Sequence, residues 1–204
     1  MLFLILMAGL GSADKVNVEQ VGHFGGHISG VALEHNYAYI GQGKDLVVLD
    51  ISDVSNPSEV GRVIIPSRVD EVVLSENYAF ITGYENGLFV VDITDPSVPK
   101  LVGSYDTQGA DNIAVSGNYA YIAVGDGLVI LDISNPSGPA FAGKYNIGSA
   151  LDVAVAGNYA YIAGWVTGLS TLNVEKPAEK TSGFGFLLAV SAIGGAFMVL
   201  RRMK

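Results

Sequence analysis

The segment Asn-Tyr-Ala-Tyr/Phe-Ile occurs four times in 204 residues, beginning at Asn36, Asn77, Asn118 and Asn158. A recurrence of about 41 residues marks a tandem array, because periods of roughly 20–50 residues belong to solenoids, propellers and related repeat folds. Each copy runs through the same series: an apolar run, a two-residue turn, a second apolar run, a Gly-bearing turn and a third run ending in Asp or Asn. In the first three copies a Pro-bearing bend follows, and then Val-Gly or Ala-Gly opens a fourth run.

Those runs have the composition of strands. Residues 72–74, 78–82 and 88–93 are short, rich in Val, Ile and aromatic residues, and bounded by Gly, Asn and Pro. Glu76-Asn77, Gly117-Asn118 and Gly157-Asn158 put residues that tolerate positive φ where a tight hairpin needs them. The first two strands of each copy are therefore antiparallel neighbours. Four short strands per copy, with no helical pattern between copies, predict an all-β fold: a β-propeller of four repeated four-stranded blades. WD40 and kelch signatures are absent. The fourth copy reads as three strands, while residues 18–23 carry Val21-Gly22, the match of Val60-Gly61 and Val102-Gly103. Pairing 18–23 with 169–173 would close a four-bladed ring and hide both free edges. The other arrangement is an eight-bladed ring shared by two chains.

A Leu-Val-Ile-Val-Asp-type string stands at 46–50, 88–92 and 128–132, with 169–173 as a decayed copy ending in Asn173. In the first three, Ile-Ser/Thr follows the Asp, and Pro57, Pro99 and Pro139 fall at matching places ahead of Gly61, Gly103 and Gly143. Over residues 16–174 the chain resembles the LVIVD-repeat family. The resemblance implies a β-propeller carried on a cell surface. The Asp50, Asp92 and Asp132 series itself reads as strand-ending Asx bends rather than as catalytic carboxylates.

The termini bear on location. Residues 2–10 are apolar and precede Gly11-Ser12-Ala13, a small-residue site of the kind a signal peptidase cuts, so 1–13 reads as a signal peptide. The other reading is a first core strand, and the missing basic start leaves room for an upstream start codon. Residues 14–176 form the repeat domain, 177–182 a linker, and 183–204 a transmembrane or sorting tail. Residues 181–200 carry no charge and precede Arg201, Arg202 and Lys204. About 20 such residues at ~1.5 Å each span roughly 30 Å, the thickness of a hydrocarbon core, which predicts a C-terminal transmembrane helix. The basic end places the tail in the cytoplasm and the propeller outside, an exported, membrane-anchored surface protein. Ser182-Gly183-Phe184-Gly185-Phe186 before the apolar stretch also resembles the archaeal PGF-CTERM sorting signal, with Ser182 where that motif has Pro. That resemblance implies processing by an archaeosortase and exchange of the tail for a lipid.

All 20 acidic residues lie between Asp14 and Glu179, while three of the 11 basic ones are in the tail, so the repeat domain with its linker carries 20 acidic against 8 basic residues. A nucleic acid is not an expected partner, since phosphate needs a basic face. With no Cys there is neither a thiol nucleophile nor a soft metal ligand. His23, His27 and His35 lack the spacing of a metal site, and no Walker A, G-x-S-x-G or zincin motif occurs.

Candidate binding residues follow from the propeller frame. The start of each first strand faces the axis, which brings Asp70, Asp111 and Asp152 toward one channel mouth. Such carboxylates could hold Ca²⁺, a hard cation that takes several oxygen ligands, and no other cofactor is expected. Alternatively each Asp caps its own loop. The turns between second and third strands, 41–44, 84–87, 124–127 and 164–168, vary most and open on the same face. There Tyr84, the sole Trp, Trp165, and the nearby Lys44 and Arg68 form a candidate loop-face site for a protein or glycan of the cell envelope. The aromatics could equally pack their own loops. The expected function is a non-enzymatic, surface-held binding or structural module. The alternative is an extracellular hydrolase or lyase using the carboxylates at the channel mouth.

Overall fold

The computed structural model describes residues 19–83 and 85–174. The signal-peptide, linker and tail expectations for 1–13, 177–182 and 183–204 lie outside the described residues. Among those described, no helix is long and apolar enough to cross a membrane.

Fifteen strands form four antiparallel sheets. The first holds β1 (Ile28–Glu34), β2 (Tyr37–Gln42), β3 (Asp45–Asp50) and β4 (Ser58–Ile64) in that order. The second holds β5 (Glu71–Ser75), β6 (Tyr78–Gly83), β7 (Gly87–Asp92) and β8 (Lys100–Tyr105). The third holds β9 (Asn112–Ser116), β10 (Tyr119–Val124), β11 (Gly127–Asp132) and β12 (Ala140–Asn146). The fourth has three strands: β13 (Ala150–Ala156), β14 (Tyr159–Gly164) and β15 (Gly168–Asn173).

Each repeat thus becomes one up-and-down sheet, the unit of a propeller blade. The hairpin turns explain the repeated Asn-Tyr. In all four, the residue before Asn is left-handed: His35 (φ 53°), Glu76 (φ 51°), Gly117 (φ 57°) and Gly157 (φ 58°). Only the latter two use the residue that adopts this conformation without a Cβ penalty. The Asn carbonyl then accepts a hydrogen bond from the residue after the third strand: Ile51 to Asn36, Ile93 to Asn77, Ile133 to Asn118 and Val174 to Asn158, at 2.7–2.9 Å. The motif therefore ties two successive turns of one blade.

The core lies between sheets. Tyr39, Leu46 and Val48 of the first pack with Val72, Ile81 and Phe89 of the second. Phe80, Leu88 and Val90 meet Ile113, Ile122 and Val129, and Tyr121 and Leu128 meet Val153 and Ile162. One face of each blade covers the opposite face of the next, and each buried Leu or Val contributes about 1.5–3 kcal/mol. The aligned glycines belong to the same packing. A Cβ on Gly61 would collide with the Pro96 carbonyl in the bend of the following blade, and one on Gly103 with the Pro136 carbonyl. Gly143 meets nothing within 4 Å among the described residues; the equivalent of Pro96 and Pro136 in the fourth repeat, Pro177, lies outside them.

A ladder between 18–23 and 169–173 is not among the strand pairings of the described residues, which begin at 19. Residues 19–27 lie outside any strand, and no strand among the described residues pairs with the outer edge of β15. The segment instead runs against the first blade, where Gly22 abuts the Val54 carbonyl and Phe24 packs on the cluster of Ala38, Ile40, Val47 and Leu49.

Candidate site on the loop face

The bend after each third strand is built by carboxylates. Asp50 accepts from Ser52 N–H at 2.8 Å, Asp92 from Thr94 N–H at 2.9 Å and Asp132 from Ser134 N–H at 2.9 Å. One turn later Asp53 and Asp95 accept from the N–H groups of Ser55 and Ser97, both at 3.0 Å. The Ser or Thr side chains and these N–H groups favour the charged form, holding all five carboxylates below their ordinary range. This is the Asx-bend role the sequence pattern implies, at the end of each blade away from the variable turns.

At the other end, the loop leading into the second blade lines a concavity. A cavity of about 370 Å³ is lined by Lys44, Pro66, Ser67, Arg68 and Glu85. Lys44 comes from the β2–β3 turn, Glu85 from the β6–β7 turn, and the others from the β4–β5 connection. That connection is fixed from beneath: Ile65 N–H donates to the Lys44 carbonyl at 2.7 Å and Val69 N–H to the Gly43 carbonyl at 2.8 Å. Ile65, Ser67 and Val69 are buried, so Pro66 and Arg68 are held out between them as a shelf. The Ser29 hydroxyl donates to the Val69 carbonyl and pins the shelf to β1.

Two of the four candidate loop-face residues, Lys44 and Arg68, therefore share one cavity. Trp165 does not join them. It stands on the β14–β15 turn, the equivalent position two blades on, 80% exposed beside an equally open Val166. Tyr84 lies outside the described residues. Ser67 and Glu85 were not legible as partners of Lys44, because only the docking of two blades brings a turn of each to one concavity. Their recurrent place in the repeat, just before a first strand and just after a second, was the available signal.

Arg68 links this cavity to the acidic mouth. Its guanidinium donates to Asp70 Oδ1 at 2.6–2.8 Å, and the Asp70 N–H donates to the Thr82 carbonyl at 2.9 Å. Asp111 N–H makes the matching bond to the Ala123 carbonyl at 2.9 Å, so both acids enter their blades alike. Burial raises the Asp111 carboxyl above its ordinary range, and the nearby charge of Asp70 adds to the shift. Glu71 is raised first by burial, with the charge of Asp152 adding to it. Asp152 lies within β13, past a bulge, and accepts from the Val153 N–H at 2.8 Å.

The carboxylates thus feel one another in two pairs, Asp111 with Asp70 of the adjacent blade and Glu71 with Asp152 two blades away. Among the described residues no three His, Cys, Asp or Glu side chains gather as a metal ion needs. Asp152 caps its own strand and Asp70 is held by Arg68. The Thr82 hydroxyl, opposite Glu71 in the β5–β6 register, is buried with no partner among the described residues.

Solved structures share this architecture at low sequence identity. The computationally designed Ika4 protein is 13% identical and matches with a TM-score of 0.64 over 78% of this chain and 99% of that one. The computationally designed Ika8 protein is 14% identical, with a TM-score of 0.61 over 72% of this chain and 46% of its own. BamB from Moraxella catarrhalis is 19% identical, with a TM-score of 0.58 over 73% of this chain and 47% of its own. The chain thus spans just under half of the latter two. No curated protein matches the sequence. The LVIVD repeat model matches four times, at 25–64, 67–107, 109–147 and 147–178, in step with the four sheets. The chain belongs to the LVIVD-repeat family, with a β-propeller repeat fold.

Proposed function

We propose that this protein is a non-enzymatic, membrane-anchored module of the cell surface that binds an envelope protein or glycan through its variable-turn face. The observation carrying this reading is the cavity between the first two blades, whose rim joins the cations of Lys44 and Arg68 to Glu85 and Ser67. Lys44 forms no ion pair among the described residues, so its charge can meet a carboxylate or sulfate of a partner. Exposed Trp165 adds a flat apolar surface at the same level of the array, suited to a sugar face or a protein side chain. The strongly acidic repeat domain argues against nucleic acid, as the charge count already implies. Export by residues 1–13 and retention or lipid exchange through 183–204 complete the reading.

Binding of the full-length, detergent-solubilised chain to glycan arrays and to solubilised envelope proteins tests it. Lys44→Glu and Trp165→Ala should each weaken the captured interaction by about tenfold or more. Binding indifferent to both would place the partner elsewhere. Peptides containing Met198, Met203 and Lys204 from the mature protein would leave a retained helix in place of processing.

A second reading draws on one observation, the half-buried Asp111 beside Asp70. Two carboxylates with unlike environments are the minimum for general acid–base hydrolysis or elimination on an envelope polysaccharide. Turnover abolished by Asp111→Asn would favour this reading over a binding module.

A further inference from the structure

The same blade-to-blade contact is made three times inside the chain and is left half-made at each end. Within the array, Val72, Ile113 and Val153 on the first strands are buried against the preceding blade. Their counterpart in β1, Val31, is 61% exposed, and Leu33 beside it is similarly open. On the covering side, Leu46, Leu88 and Leu128 are fully buried, whereas their counterpart Leu169 is 71% exposed. Tyr161, the counterpart of buried Tyr39, Phe80 and Tyr121, is only half-buried.

The strand that the fourth blade lacks among the described residues has a counterpart in position at the opposite end. Gly22 meets the Val54 carbonyl of the first blade as Gly61 meets Pro96 of the second and Gly103 meets Pro136 of the third. Phe24 lies against the first blade's inner cluster, as Val63 lies against that of the second. Residues 19–24 therefore hold the position of an outer strand belonging to a blade that precedes the first. No such blade is packed there among the described residues, and the fourth sheet offers an unpaired edge along β15.

We propose that two copies of this chain form one ring of eight blades, each copy's fourth blade packing on its partner's first blade. Residues 19–24 of one copy then pair with β15 of the other. Val48, Val90 and Ile130 face Gly61, Gly103 and Gly143 across the third and fourth strands, so Thr171 faces Gly22 and Ser170 faces His23. Leu169 and Tyr161 cover Val31 and Leu33. The contact is continuous with an interface the chain already makes three times. A twofold axis along the ring makes both junctions identical and closes the assembly without an open, polymerising end.

The chain contains no Cys, which makes the test direct. Separate full-length His23→Cys and Ser170→Cys proteins, mixed in mild detergent and oxidised, should yield a disulfide-linked pair of unlike chains. Light scattering of the unmodified protein should give a two-chain particle. Leu169→Glu, at a site exposed in the single chain, should weaken association about 100-fold by burying a charge at the junction, with the strand spectrum unchanged. A double-cysteine chain that closes on itself at one-chain mass would overturn the proposal in favour of a four-bladed ring. A one-chain particle with no crosslink, or open-ended polymers, would overturn it as well.

Discussion

The junction between the second and third blades and the outer face of the fourth are built from the same repeat, yet they differ in almost every physical respect. At the junction, Leu88 and Phe80 are sealed beneath Ile113 and Ile122, and Gly103 is wedged under the Pro136 carbonyl. On the outer face of the fourth blade, Leu169 and Tyr161 occupy the equivalent positions with no blade over them among the described residues. An apolar residue in a repeat protein is thus stabilising only where a neighbour exists to cover it, the near-neighbour logic of one-dimensional arrays. The pattern in one repeat specifies half an interface.

The largest expected effect separates the two regions by deletion of equivalent side chains. Leu88→Ala should lower unfolding free energy by about 3 kcal/mol whatever the protein concentration, because it leaves a cavity in a sealed interface. Leu169→Ala should leave the stability of a single chain within about 0.5 kcal/mol of the original and act instead on association. Denaturant melts at two protein concentrations measure both, and equal losses would break the comparison.

Next in size is the glycine wedge. Gly103→Ala should cost about 2 kcal/mol, since the new methyl must displace the neighbouring blade's backbone. Gly143→Ala meets nothing among the described residues and should change stability by less than about 0.5 kcal/mol. Thermal denaturation of the pair checks this, and a costly Gly143→Ala would mean that something covers that strand.

Smaller still are the carboxylates, whose two populations respond oppositely to pH. Asp92 and Asp132 are held low by hydrogen bonds, so their contribution is present above the ordinary carboxylate range and lost as pH falls through their lowered folded values. Glu71 and Asp111 are held high by burial; their contribution is present in acid and lost as pH rises through the raised values. Asp132→Asn should therefore lower Tm at neutral pH, with the difference vanishing in strong acid. Asp111→Asn should raise Tm at neutral pH, and that gain should shrink toward acid. Melting curves from about pH 3 to 8 test both signs together.

The smallest expected effect is that of Ca²⁺. With Asp70 paired to Arg68 and Asp152 bonded to its own strand, millimolar Ca²⁺ should leave Tm unchanged. A rise abolished by Asp111→Asn would restore Asp70, Asp111 and Asp152 as a cation site.

Much of the architecture was legible before any coordinates, for reasons local to the chain. Strand positions such as β6 and β7 follow from alternating runs and their Asn and Gly punctuation, which act through backbone sterics within a few residues. The Asx bends at Asp50, Asp92 and Asp132 were readable for the same reason, since donor and acceptor are two residues apart. The candidate site was legible only in part. Lys44 and Arg68 were singled out by their turns, but nothing local states that Ser67 and Glu85 share their cavity while Trp165 stands apart.

The sequence by itself determined the repeat, the strand order within each blade and the family, because a period of about 41 residues repeats every local preference in register. Only the tertiary structure decided which of the repeated positions are buried. It showed that the conserved spacing of Gly61 and Gly103 answers to the next blade's carbonyl, that Asp70 belongs to Arg68, and that Val31 and Leu169 stand uncovered. Local propensity acts along the chain and is written in each repeat. Burial depends on what arrives from outside the repeat, and the first and fourth blades, carrying nearly the same residues as the inner two, have within the described residues of one chain a neighbour on one side alone.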